Sequence, residues 1–86
     1  MNNKHWVVVF DWAIENGELA SGLDIVAVKH TLEEAKKVLA ESAIEEKRYA
    51  NEHGYIIHAD NDMEFDAGEA GYYSAEHAHY YIVEVE

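Results

Sequence analysis

The residues best suited to chemistry are four carboxylates at alternating positions in the C-terminal half of the chain: Asp60, Asp62, Glu64 and Asp66. In an extended segment, alternation places all four on one face, and Met63 and Phe65 on the other. Neighbouring carboxylates would then stand about 6.6–6.8 Å apart, which is twice the rise per residue of a strand. Such a row repels nucleic acid and anionic membranes, and it suits a cation or a basic protein surface.

The same carboxylates could bind calcium, because they occupy the first, third, fifth and seventh positions of an EF-hand-like loop. The remaining positions do not fit. The sixth is Phe65, where the loop needs glycine, and the twelfth is Gly71, where it needs a bidentate glutamate. An EF-hand is therefore not expected, and irregular divalent-cation binding stays open as an alternative function.

Two histidines offer a second candidate cation site. His77 and His79 form an H-x-H motif, which on a strand places both imidazoles on one face and could supply half of a zinc or nickel site. His58 or a nearby aspartate could complete it, but the spacing identifies no third ligand. We predict no metal and no cofactor, with His77 and His79 as the alternative metal ligands.

Nucleophilic catalysis is not expected from this sequence. The hydroxyl side chains of serine and threonine are few: Ser21, Thr31, Ser42 and Ser74. Ser74 lies near His77 but has neither a nucleophile elbow nor an oxyanion motif around it. The chain also lacks the glycine-rich motifs that bind phosphate, and Arg48 is its only arginine. We therefore predict that the protein is not an enzyme.

Length and composition predict a single folded domain, residues 1–86. Apolar residues make up 49% of the chain, and the formal net charge is −12. The first 48 residues hold nine acidic and six basic side chains, whereas the last 38 hold nine acidic side chains and neither lysine nor arginine. No cysteine is available for a disulfide, and no segment resembles a signal peptide or a membrane span, so a cytoplasmic location is expected.

Apolar patterning predicts an α+β fold, an antiparallel sheet of four to five strands with one long helix packed on one face (β-β-α-β-(β)-β). The predicted strands are residues 5–13, 23–29, 55–60, 80–85 and, as an optional fourth strand, part of 62–67 with a turn near Asn61. Polar connections are predicted at 14–22 and 68–71. The first of the strands is apolar on both faces, which indicates a central strand or one covered on both sides.

The helix has recognisable signals at both ends. Thr31 and Glu34 form a capping box, and Gly54 is a natural terminator, so a helix is predicted over 31–53, with a break near Asn51 as the alternative. Its apolar stripe consists of Leu32, Ala35, Leu39, Ala43 and Ala50. One helix can cover only one face of the sheet. The other face must be covered by the 68–78 loop, a second copy of the chain or a target protein.

Charge and aromatic content together favour a binding protein. Size and acidity resemble those of small anti-defence proteins of phages and mobile elements, including anti-CRISPR and antirestriction DNA mimics, although no specific motif carries that resemblance. It implies an inhibitor that docks on the basic surface of a nucleic-acid-binding protein, without binding nucleic acid or membrane directly. A homo-oligomeric structural protein, such as a homodimer, is a further alternative. The residues predicted to bind the partner are Asp60, Asp62, Glu64, Asp66, Glu69, Tyr72 and Tyr73.

Overall fold

The computed structural model describes residues 4–15, 19–68 and 76–86, which form five strands and one helix. In chain order these are β1 (His5–Glu15), β2 (Leu19–Lys29), α1 (Leu32–His53), β3 (Ile56–Asp60), β4 (Glu64–Gly68) and β5 (His77–Val85). The strands make one antiparallel sheet in the order β2-β1-β5-β4-β3, and α1 packs on it. The predicted α+β fold and element order are confirmed.

Two hairpins are joined by the last strand. β1 pairs with β2 and β3 pairs with β4, while β5 lies between β1 and β4 and hydrogen-bonds to both. β1 has a neighbour on each side, so it is an interior strand next to the centre of the sheet. β5 is the central strand of the five, which explains why its apolar residues also continue on both faces.

The predicted polar connection at 14–22 is wrong in extent. β1 continues to Glu15 and β2 begins at Leu19, and the ladder pairs Ala13 with Ser21. Trp12 explains part of this extension: its Nε1 donates a hydrogen bond to Asp24 Oδ2 at 3.0 Å. Its ring also lies so close to Gly22 that a Cβ there would stand 2.6 Å from it. Cross-strand contacts thus extend strands through residues with weak β propensity.

Local sequence signals define α1. The Thr31 Oγ1 atom accepts a hydrogen bond from the Glu34 amide at 3.2 Å, which satisfies one of the first free N–H groups of the helix. Gly54 ends it in the left-handed conformation, with φ of 71°. The helix continues through Asn51 without a break. No helix among the described residues is both long and apolar enough to cross a membrane.

Two small clusters of buried residues lie between α1 and the sheet. One contains Val8, Ala35 and Leu39, and the other contains Ala43, Ala50, Phe65 and Ala67. Tyr80 packs against both clusters from the middle of β5. Its ring also stacks on Phe10 of β1, with the centroids 4.2 Å apart and the planes 11° from parallel. The contact joins the two clusters into one continuous core layer.

Gly54 provides a direct test of helix termination. A Cβ at this position would meet no atom within 4 Å, so replacement by alanine introduces backbone strain without a steric clash. We expect Gly54→Ala to lower the free energy of unfolding by about 1 kcal/mol, measured by urea denaturation. Gly54→Asn is the matched control and should lose less, because asparagine tolerates the left-handed region better. Equal losses in both variants would contradict this explanation.

Candidate binding surface

The acidic run is divided by a turn. β3 ends at Asp60 and β4 begins at Glu64. Between them, the Oδ1 atom of Asn61 accepts hydrogen bonds from the amides of Met63 and Glu64, at 2.9 and 3.0 Å. Asparagine commonly stabilises tight turns by this kind of bond to its own backbone. The turn near Asn61 and the optional fourth strand are therefore present, and the run is not one continuous strand.

The first two carboxylates of the run lie on the helix side of the sheet. Asp60 Oδ2 is 2.7 Å from Lys47 Nζ, and Asp62 Oδ2 is 3.2 Å from Lys36 Nζ. Both pairs are partly exposed to solvent, so each contributes at most about 1 kcal/mol. Their larger effect is on charge, because each lysine of α1 offsets the charge of the carboxylate that it faces.

The other two carboxylates lie on the opposite side. Phe65 is fully buried beneath α1, and the alternation of strand residues therefore turns Glu64 and Asp66 away from the helix. Met63 is not packed beside Phe65 but lies in the turn with 37% of its surface exposed. A single face from Asp60 to Asp66 is thus wrong, because the turn sends two pairs of carboxylates to two sides of the sheet.

We call the side of the sheet opposite α1 the open face, since no described helix or strand covers it. Its polar part is an acid–histidine cluster of Asp11, Glu64, Asp66, His77 and His79. His77 Nε2 lies 3.2 Å from Asp11 Oδ1, and His79 Nε2 lies 2.9 Å from Glu64 Oε2. Both contacts run diagonally between neighbouring strands, and Asp66 is directly opposite His79 in the ladder.

Next to this cluster the open face is apolar. Val7 of β1 is paired with Val28 on one side and with Val83 on the other, and directly opposed residues share a face. The exposed members of this region form what we call the apolar strip: Leu23, Ile25, Val28, Val83 and Val85. Leu23 and Ile25 are each 59% exposed. Exposed apolar residues grouped on one face, beside charged ones, are typical of an interaction surface.

The structure changes the set of candidate residues. Glu64 and Asp66 remain on a surface that a partner can reach, whereas Asp60 and Asp62 are paired with helix lysines. Glu69, Tyr72 and Tyr73 lie outside the described residues. The sequence analysis did not select Asp11. Its position could have been inferred, because the even-numbered residues of β1 face the helix and the odd-numbered ones, including Asp11, face the other side.

The alternative metal site finds limited support in this geometry. His77 and His79 do share a face, but each Nε2 contacts a different carboxylate on a different neighbouring strand. Within residues 4–15, 19–68 and 76–86, no group of three or more histidine and acidic side chains is placed to hold a metal ion. The H-x-H motif is therefore better described as part of two separate histidine–carboxylate pairs.

Comparison with known proteins gives no match. No family model matches the chain, and neither a curated protein nor a solved structure matches it. Arguments about function therefore depend on the geometry and charge of the described surface. The prediction that the protein is not an enzyme stays a prediction.

Titration with zinc or calcium tests the metal alternative. Because the two imidazoles contact different carboxylates, we expect no saturable heat by calorimetry and no thermal shift when either ion is added in stoichiometric excess. The double variant His77→Ala/His79→Ala is the control for non-specific binding to other acids and histidines. Saturable zinc binding by the wild type that disappears in this variant would restore the metal site.

Proposed function

We propose that the protein is a non-enzymatic binding module that docks its open face on a basic surface of another protein. The observation that carries this proposal is the side-by-side arrangement of the acid–histidine cluster and the apolar strip. Apolar contacts with an exposed strand face supply affinity, whereas the adjacent carboxylates favour a partner of positive charge. The combination fits a protein partner better than a small molecule, because the face is a sheet and not a concavity.

Charge narrows the class of partner. A chain of net charge −12 repels nucleic acid and anionic lipid, and it attracts basic proteins over long range. Glu64 and Asp66 are two residues apart on one strand, so their backbone positions are about 6.8 Å apart along it. That distance is close to the advance of two nucleotides along one DNA strand, about 3.4 Å each. A groove that binds nucleic acid is therefore the preferred docking site, and occupation of that groove would make the protein an inhibitor.

Two double variants with the same charge change test whether the open face is responsible. Glu64→Gln/Asp66→Asn removes two charges from this face, and Glu33→Gln/Glu41→Gln removes two from exposed positions of α1. We expect the first variant to bind a captured basic partner with an association rate lowered about 10-fold at low salt, and with a smaller salt dependence. The helix variant should change the rate much less, because its charges do not face the partner.

The partner for these measurements comes from affinity capture out of a lysate at low and high salt, followed by purification and surface plasmon resonance. DNA or RNA should compete with the protein for the captured partner if both occupy one groove. Equal rate losses in both double variants would show that only total charge matters. Binding that nucleic acid does not displace would contradict the inhibitor proposal but leave a docking module.

A second candidate function is self-association, which one further observation favours. β2 is an edge strand of 11 residues, and three members of the apolar strip lie on it: Leu23, Ile25 and Val28. A long edge strand with exposed apolar residues can pair with the same strand of a second copy. The net charge opposes this association through repulsion between identical chains.

Sedimentation velocity distinguishes the two candidates. If the edge of β2 forms a dimer, the wild type should sediment as a dimer at micromolar concentration, and Ile25→Lys should sediment as a monomer. Ile44→Lys is the matched control, because Ile44 is equally exposed but lies on α1. A monomeric wild type would remove the dimer as a function and leave the apolar strip to a different protein.

A further inference from the structure

A cavity of about 440 Å³ lies beside α1 at one end of the sheet, and His77 of the acid–histidine cluster contributes to its margin. It is bounded by the C-terminal half of α1, the end of β1 and the start of β5. Its apolar and aromatic lining comes from Phe10, Trp12, Ile14, Tyr49, Tyr55 and Ala78. Cavities of this volume, with aromatic walls and a few polar groups, are typical of sites for small molecules.

One residue of this cavity contradicts the pattern of the helix. Ala43 and Ala50 are buried two turns apart, so an amphipathic stripe requires an apolar residue at 46 or 47. The sequence places Glu46 and Lys47 there, and Lys47 is paired with Asp60. Glu46 therefore carries a carboxylate into a region where packing alone favours a hydrocarbon side chain. Such local violations of folding rules concentrate at functional sites.

Glu46 is partly buried and has no described side chain of opposite charge paired with it. In the part of the chain that the structure describes, its carboxylate makes no hydrogen bond and no ion pair. Burial raises its pKa, because desolvation disfavours the charged form. Burial, and secondly the charge of Glu46, also raise the pKa of the Tyr80 hydroxyl to about 12. A cation placed beside Glu46 would offset the cost of this desolvation by pairing directly with the carboxylate.

Acidic side chains outnumber basic ones around the cavity. Four carboxylates line it against one guanidinium and one imidazole: Glu45, Glu46, Glu52 and Glu76 against Arg48 and His77. Arg48 is turned to Glu45, with Nη1 3.6 Å from Oε2. Glu76 accepts a hydrogen bond from the Tyr55 hydroxyl at 2.5 Å, which helps to hold Tyr55 at the wall. The local potential is therefore negative, although the walls are apolar.

We propose that this cavity is a binding site for a small organic cation, an ammonium group carried on an apolar body. The ammonium would pair with Glu46, and the body would pack on Phe10 and Trp12. Aromatic walls add to this preference, since ring faces attract cations that have lost part of their water. A neutral molecule of the same shape would bury Glu46 further without pairing it, and an anion would be repelled.

Tryptamine and tryptophol form a suitable pair of probes, because they share an indole body and differ in an ammonium against a hydroxyl group. We expect tryptamine to bind in an NMR titration of the full chain, with shift changes at the cavity residues, and tryptophol to bind at least 10-fold more weakly. Glu46→Gln should weaken tryptamine at least 10-fold. Glu41→Gln, which makes the same charge change at an exposed position outside the cavity, should leave its affinity within 2-fold.

Stability separates a binding role of Glu46 from a structural one. Glu46→Leu restores an apolar residue to the helix stripe, so it should raise the melting temperature while it abolishes tryptamine binding. A lowered melting temperature would show that the carboxylate supports the fold, and would overturn the proposal. Equal affinity for the two probes, equal losses in the Gln variants, or no tryptamine binding at millimolar concentration would also overturn it. None of these results depends on a protein partner at the open face.

Discussion

The two halves of the core share one packing contact, the partly buried ring of Tyr80 between the two hairpins beneath α1. Tyr80 stacks on Phe10 of the first hairpin, and it is directly opposite the fully buried Phe65 of the second. The single helix α1 covers only one side of the five-stranded sheet. The open face is the side that α1 leaves uncovered.

The charged residues are also divided between the helix side and the open face of the sheet. Lysines of α1 take up Asp60 and Asp62, so the helix side contains ion pairs at its rim. On the open face, the carboxylates of Asp11 and Glu64 contact His77 and His79. The four carboxylates of the acidic run are thus divided between two sides of the sheet. Asp60 and Asp62 face lysines of α1, whereas Glu64 and Asp66 lie on the open face. The two pairs cannot be distinguished by net charge alone.

Local rules predicted the parts of the structure that local interactions determine. The cap at Thr31 and the terminator at Gly54 both lie within a few residues of the groups they affect. The extension of β1 to Glu15 and the division of the acidic run depend instead on cross-strand neighbours and on one asparagine turn. The cross-strand neighbours are distant in sequence, and the turn at Asn61 competes with a continuous strand over the same residues. The exceptional position of Glu46 was visible in the helix spacing, but its meaning depends on a cavity formed by three elements.

The central place of β5 also has a kinetic consequence. Each hairpin can form from residues close together in the chain, but the contact between His77 and Asp11 joins positions 66 apart. Closing that loop costs entropy before the core of Tyr80 returns any stabilisation. We therefore expect the docking of β5 between the two hairpins to be a late step of folding. Topology then accounts for the slow step of folding, because the chain contains no proline whose isomerisation could contribute to it.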